Sequence, residues 1–353
     1  MQAIAIKGRG SLSNPISRFL AYDRHREPED GAPQPEVPRA PTVVMRETAR
    51  SIISRNTSPD IPFDQSVNAY RGCEHGCIYC YARPSHAYLG LSPGLDFETQ
   101  LYAKENAPEL LRKALSRPGY QPSLISMGSN TDPYQPIERR LKLTEGLLQV
   151  FDQFSHPVSI TTKSALITRD IAILARLARR NLVRVHISIA TLDRELARRM
   201  EPRASTPTSR LEAITRLREA GVPTGVLIAP VVPGLCDHEL ERVAIAASDA
   251  GVTQAAYVLL RLPREVSPLF QEWLHTHYPM KATHVLNLLR AMRKGKDYDP
   301  DFRQRMCGTG IHADMLRQRF KRICNRLGLN LNNQSLDTTA FRVPGTPEQG
   351  NLF

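Results

Sequence analysis

A chain of 353 residues, 41% hydrophobic and 23% charged, has enough apolar material for one large α/β barrel or two ordinary domains. Its apolar runs fall short of the roughly 18 residues a membrane span needs, so no membrane association is expected. The six cysteines, three of them clustered, do not form a disulfide pattern and fit reduced thiols in the cytoplasm. Lys and Arg outnumber Asp and Glu by 47 to 35, and that excess favours polyanions, nucleic acid among them, although helix faces such as residues 175–180 carry part of it.

The first ten residues are too short in apolar length for a secretory signal. Residues 14–22 have enough apolar content to dock as an arm. Residues 24–42 mix charge with Pro28, Pro33, Pro35, Pro38 and Pro41 and read as a linker. A regular alternation follows. Strands are expected at 66–70, 123–127, 158–162, 183–189, 224–229 and 255–260, with helices at 107–115, 141–154, 170–180, 207–220 and 239–250. Gly221 and Gly251 close the last two helices as C-caps. Strands separated by helices pair in parallel through right-handed crossovers, so the expected architecture is α/β, a partial (β/α)6 TIM-like barrel.

Beyond residue 265 the pattern turns helical, with Ile311, Met315, Phe320, Ile323 and Leu327 forming one apolar face. The expected organisation is an N-terminal arm and linker (1–45), the barrel (46–265), a C-terminal helical extension that caps it (266–333), and a flexible tail (334–353).

The chemistry concentrates after the first strand, in Tyr70-Arg-Gly-Cys-Glu-His-Gly-Cys-Ile-Tyr-Cys80, which sets Cys73, Cys77 and Cys80 in a C-x3-C-x2-C spacing. One reading is a zinc site completed by His75 or His86, but zinc cysteines usually come as C-x2-C pairs with a second pair farther on. The other is a [4Fe-4S] cluster one protein ligand short of the usual four, with one iron left open for chemistry. Ligand sites of parallel α/β folds lie at the carboxyl ends of the strands. There the cysteine loop joins residues 128–132 after strand two, Lys163 and Ser164 after strand three, and Ala190 and Thr191 after strand four.

Cys73, Cys77, Tyr79 and Cys80 together resemble the signature of the radical S-adenosylmethionine (SAM) superfamily, C-x3-C-x-aromatic-C. Residues 77–81, 129–133 and 162–164 are similar to the spore photoproduct lyase branch, often labelled DNA repair photolyase-like, and the resemblance spans residues 60–265. It implies a [4Fe-4S] cluster whose open iron binds SAM, an external electron donor of the flavodoxin or ferredoxin type, and cleavage of SAM to methionine and a 5′-deoxyadenosyl radical. It also implies roles for single residues. Tyr79 lies against the adenine, Thr131 and Asp132 stand near the methionine end of SAM, Lys163 reaches the SAM carboxylate, and Ser188 sits on strand four beside SAM. Tyr81, with Tyr79, matches the branch's radical-transfer tyrosines and is the catalytic candidate.

One position departs from that pattern. The branch places a hydrogen-donating cysteine two residues before Thr131, and this chain has Ser129, whose O–H bond is too strong for that task. Cys324 reads as a buried small hydrophobe. Cys236 could replace the missing donor, whereas Cys307, His275, His277, His284 and His312 stay unassigned. The competing reading is a nucleic-acid-binding protein with a structural metal cluster.

Overall fold

Residues 6–20, 41–332 and 334–345 are described by a computed structural model of the chain. The alternation of apolar strands and amphipathic helices produces a seven-stranded sheet in the order β10-β9-β8-β7-β6-β3-β2. Its members are β2 (Ile53–Arg55), β3 (Gln65–Val67), β6 (Ile125–Met127), β7 (Val158–Thr162), β8 (Val183–Ser188), β9 (Thr224–Val231) and β10 (Gln254–Leu259). From β3 to β10 every neighbouring pair is parallel and in chain order, so each crossover helix carries the chain one strand onward. This is the expected run of six parallel strands. The edge strand β2 pairs antiparallel with β3.

Period-two burial sets the faces of the sheet. Val158 and Ile160 of β7, and Val183, Val185 and Ile187 of β8, are fully buried in one core with the helices, while Ser159, Thr161, Arg184 and His186 between them are only half-buried. The crossover helices are α1 (Ala107–Leu115), α2 (Leu143–Gln153), α3 (Ile171–Arg179), α4 (Arg194–Met200), α5 (Pro207–Glu219) and α6 (Leu240–Asp249). Caps fix two of their starts. Asp193 accepts from the Glu195 and Leu196 amides, and Thr206 accepts from Ser209 ahead of Pro207 in the first turn.

A second sheet, in the order β1-β5-β4, is not legible in the sequence pattern. It joins β1 (Val43–Glu47), β5 (Gln100–Lys104) and the two-residue β4 (Tyr70–Arg71), so residue 70 leaves the barrel strand and turns toward the cysteine loop. The arm at residues 6–20 docks on the same region. The carboxylate of Glu98 accepts from the amides of Gly10 (2.9 Å) and Ser11 (2.8 Å), and Arg9 donates to the Glu98 carbonyl (2.9 Å). The linker expected at 24–42 lies outside the described residues except for its end at 41–42.

After β10 the chain forms α7 (Val266–His277), α8 (Pro279–Ala291) and α9 (Ile311–Leu327). The first two build a second core around Phe270 and Trp273 that also contains Cys77, Ile78 and Tyr79. Two expectations are corrected here. Ile311 and Met315 are exposed, and the packed face of α9 runs through Ala313, Leu316, Ile323 and Cys324. Residues 334–345 also pack: Phe341 lies against Tyr120, Phe154 and His156, and Arg342 donates its amide to Phe154. Among the described residues, no helix is long and apolar enough to cross a membrane.

Candidate functional site

The loop that carries the cysteines needs glycine twice. Gly72 has φ +75°, and a Cβ there would lie 2.7 Å from Leu101 and 2.9 Å from the Phe97 carbonyl. Gly76 has φ +64°, and its Cβ would meet the Glu98 carboxylate at 2.6 Å. Arg83, fully buried, then ties the loop together. It donates to the carbonyls of Cys77 (2.9 Å), Gly76 (3.2 Å) and Gly94 (2.9 Å) and pairs with Glu98. Glu98 is the same carboxylate that holds the arm, so one buried ion pair fastens arm and cysteine loop to each other. Gln135, beyond β6, braces the other side through the Glu74 amide (2.8 Å) and the Gly72 carbonyl (3.3 Å).

All three cysteines are free thiols, with Cys73 and Cys77 buried and Cys80 half-buried. Burial pushes each thiol up. The Asp132 N–H opposes that at Cys73, as do the N–H groups of Ala82 and Arg83 at Cys80. Amide donors aimed at sulfur favour the thiolate, the form that binds iron. Cys77 has Lys163 among the groups that favour its thiolate. The donor set therefore fits a thiolate-bound cluster. The zinc alternative fits less well. His86 Nε2 lies on the Gln100 carbonyl (2.9 Å) and His75 Nδ1 lies 3.3 Å from Asp132, which leaves one ring nitrogen on each. What disfavours zinc is the lack of a converging donor set: among the described residues no three His, Cys, Asp or Glu side chains converge to share one metal ion.

Around the loop the structure brings together most of the expected site residues. Lys163 sits with its ammonium 5.8 Å from the centre of the Tyr79 ring. Burial works against its charge, but Cys77 and Glu201 outweigh that and raise its pKa. The Tyr79 hydroxyl donates to Glu201, which pairs with Arg210, and Arg210 also donates to the Ser188 carbonyl (2.8 Å). Burial would raise the Asp132 carboxyl, yet His75, the Thr162 hydroxyl (2.6 Å) and the Lys163 amide (2.7 Å) hold it at about 2. Asp132 thereby joins the loops after β6 and β7. Gly128, with φ +93°, permits that approach, because a Cβ would lie 2.1 Å from the Thr161 carbonyl.

Two hydroxyls are committed elsewhere. Thr131 donates to the Tyr70 carbonyl (3.3 Å), and Ser188, fully buried, donates to Ala229 (3.2 Å) across to β9. Tyr81 is 48% exposed at the mouth, its hydroxyl on the Ser129 carbonyl and its ring 5.4 Å from the Arg261 guanidinium. Cys236 is a free but buried thiol whose sulfur accepts from the Val232 amide (3.3 Å).

The family model described as the Radical SAM superfamily matches residues 67–246, just over half of the chain. The chain belongs to the Radical SAM superfamily. It is 37% identical over 246 residues to an uncharacterized protein of Mycobacterium tuberculosis, covering 69% of this chain and 72% of that one. It is also 24% identical over 210 residues to a protein of Pseudomonas phage M6 named radical SAM Nalpha-GlyT isomerase, covering 56% of this chain and 42% of the phage protein. Among solved structures, a mutant spore photoproduct lyase with bound AdoMet and dinucleoside spore photoproduct superposes with a TM-score of 0.54 at 15% identity, covering 81% of this chain and 80% of that one. That likeness shows a shared fold, a partial barrel of parallel strands. Membership in the radical SAM superfamily implies an iron–sulfur cluster and SAM.

Four buried charges of this radical SAM site escaped sequence reasoning: Arg83, Glu98, Glu201 and Arg210. Charged residues ordinarily read as solvated. The available signals were local: Arg83 follows the last cysteine by three positions, and Glu201 precedes Pro202 where α4 must end.

Proposed function

We propose that this chain is an enzyme that holds a [4Fe-4S] cluster through Cys73, Cys77 and Cys80, uses it to cleave SAM reductively, and directs the resulting 5′-deoxyadenosyl radical at a nucleic acid. The observation that carries the reading is the placement of three thiols, two buried and one half-buried, on one braced loop at the carboxyl ends of the strands, beside the half-buried Lys163 and the Tyr79–Glu201–Arg210 chain. When bound, the cluster supplies the electron, received from a flavodoxin- or ferredoxin-type donor, that breaks the S–C5′ bond of SAM.

The protein's own residues bind, orient and exclude water. Lys163, half-buried beside Tyr79, presents an ammonium to the SAM carboxylate in a charge-assisted hydrogen bond. Tyr79 keeps its ring in place because Glu201 and Arg210 fix its hydroxyl. Asp132 and Thr131 shape the loop next to the methionine end. Phe270, Trp273 and their neighbours close one wall and keep water from the site. A nucleic-acid substrate is supported by the net charge of +12 and by the dinucleoside photoproduct bound to a protein of like fold.

The test is anaerobic reconstitution with iron and sulfide, followed by dithionite and SAM. The expected outcome is 5′-deoxyadenosine, absent with Cys77→Ala and reduced at limiting SAM with Lys163→Met. Well-loaded protein that yields no deoxyadenosine refutes the enzymatic reading. Offering single- and double-stranded DNA and RNA, with deuterium tracing on deoxyadenosine, then identifies the substrate class.

A further inference from the structure

At the end of the barrel opposite the cysteine loop lies a groove of about 650 Å³, beside the amino-terminal starts of β3 and β6 and the edge strand β2. Arg50, Arg55, Lys113 and Arg117 line it; all four are exposed, and none forms an ion pair among the described residues. Among the described residues, Asp64 is the only carboxylate that lines the same space. Helix dipoles account for Lys113, in the last turn of α1, but Arg50 and Arg55 lie on no helix. Four cations facing one groove give it a positive field that attracts an anion, most strongly at low salt.

The floor is already organised. Gln65 donates to Ser123 (2.8 Å), Ser123 donates to Asp64 (3.0 Å), and the Tyr120 hydroxyl rests on His156 (2.9 Å). Pro118, Pro122 and Leu110 add apolar wall. A pocket of this size holds a ligand of many atoms, much larger than a single phosphate ion.

We infer that this groove is a second ligand site, distinct from the radical centre, that takes a phosphate-bearing nucleotide unit, either free or as a link in a nucleic acid strand. The cations grip phosphate oxygens, and the apolar wall receives the rest of the unit. The site does not depend on the proposed radical chemistry, and its test needs no cluster.

The experiment titrates the full-length protein with a fluorescein-labelled ten-residue oligothymidylate and, separately, with ATP, by anisotropy and calorimetry. Arg55→Ala with Arg117→Ala should weaken binding about tenfold or more and flatten its salt dependence. Lys321→Ala with Arg326→Ala removes the same charge from the exposed face of α9 and should change affinity less than about twofold. Circular dichroism of both pairs should match the parent. Loss of strand binding alone assigns the groove to nucleic acid, and loss of ATP binding alone assigns it to a free nucleotide. Equal weakening by the two pairs, or no binding of either probe below about 1 mM, overturns the site.

Discussion

The two ends of the barrel treat charge in opposite ways. At the mouth, Arg83–Glu98 and Arg210–Glu201 are buried pairs with every partner at 2% side-chain exposure or less, and each carboxylate also accepts from another part of the chain. At the amino-terminal end, Arg50, Arg55, Lys113 and Arg117 stand exposed and form no ion pair among the described residues. Buried pairs add little net stability over apolar packing but are costly to break, so they serve best as fasteners that fix geometry. Exposed, unpaired cations fix nothing in the fold and stay available to a ligand. The two internal arginines, each matched by a glutamate, position the cysteine loop and add nothing to the net excess of twelve positive charges, whereas the exposed cations set up a surface field.

The largest effect expected is from breaking the fastener itself. Arg83→Met strands Glu98 in the interior and should cost about 3–5 kcal/mol in urea denaturation. Reconstituted protein should also retain less iron, because the Gly76 and Cys77 carbonyls lose their brace. Unchanged iron content in a folded Arg83→Met protein would separate loop from fastener and undo the comparison.

At the amino-terminal end the buried counterpart is His156, fully enclosed beside Tyr120 and held neutral by burial, with its pKa lowered to about 4. A base whose pKa is depressed on folding contributes its stability above the unfolded value near 6.5 and loses it as pH falls toward 4. That window should cost roughly 3 kcal/mol, measured as ΔG of unfolding against pH. His156→Asn should flatten that slope while leaving the mouth intact.

A smaller effect is expected at Glu201→Gln. Arg210 keeps a partner oxygen but loses the opposing charge, for about 2–3 kcal/mol. Iron content should hold, since Glu201 positions Tyr79 and not the sulfurs, while the SAM requirement rises. The smallest structural effect belongs to Tyr81→Phe, which removes one hydroxyl bond to the Ser129 carbonyl, worth about 1 kcal/mol or less at a half-exposed site. Its turnover is the informative readout: unchanged product formation contradicts a redox role for the phenol.

Six parallel strands were legible because each is a short apolar run bounded by helix signals, and the cysteine spacing is specific in that context. The second sheet was not legible. Strand β1 has only intermediate and exposed positions, β5 buries just Leu101 and Ala103 over five residues, and β4 is two residues long, so each pattern is too short to stand out from loop sequence. The apolar face assigned to α9 took Ile311 for a core residue, although it is the first residue of the helix and 86% exposed. Residues 334–345 pack through Phe341, the one aromatic of that polar stretch, which composition alone cannot weigh, and the rest of the expected tail lies outside the described residues. In the site, the cysteines stood out by spacing, and Tyr79, Asp132 and Lys163 through the family resemblance. Their supports did not, because Arg83–Glu98 spans 15 positions and Tyr79–Glu201 spans 122, and only folding makes those charges neighbours.

The measurement that bears most directly on the central claim is the EPR spectrum of the reduced, anaerobically reconstituted protein before and after SAM. If Cys73, Cys77 and Cys80 hold the cluster as proposed, one iron is left for SAM, and the expected result is a SAM-dependent change in the cluster signal with the spin count retained. A fully loaded cluster whose spectrum is identical at saturating SAM would contradict it.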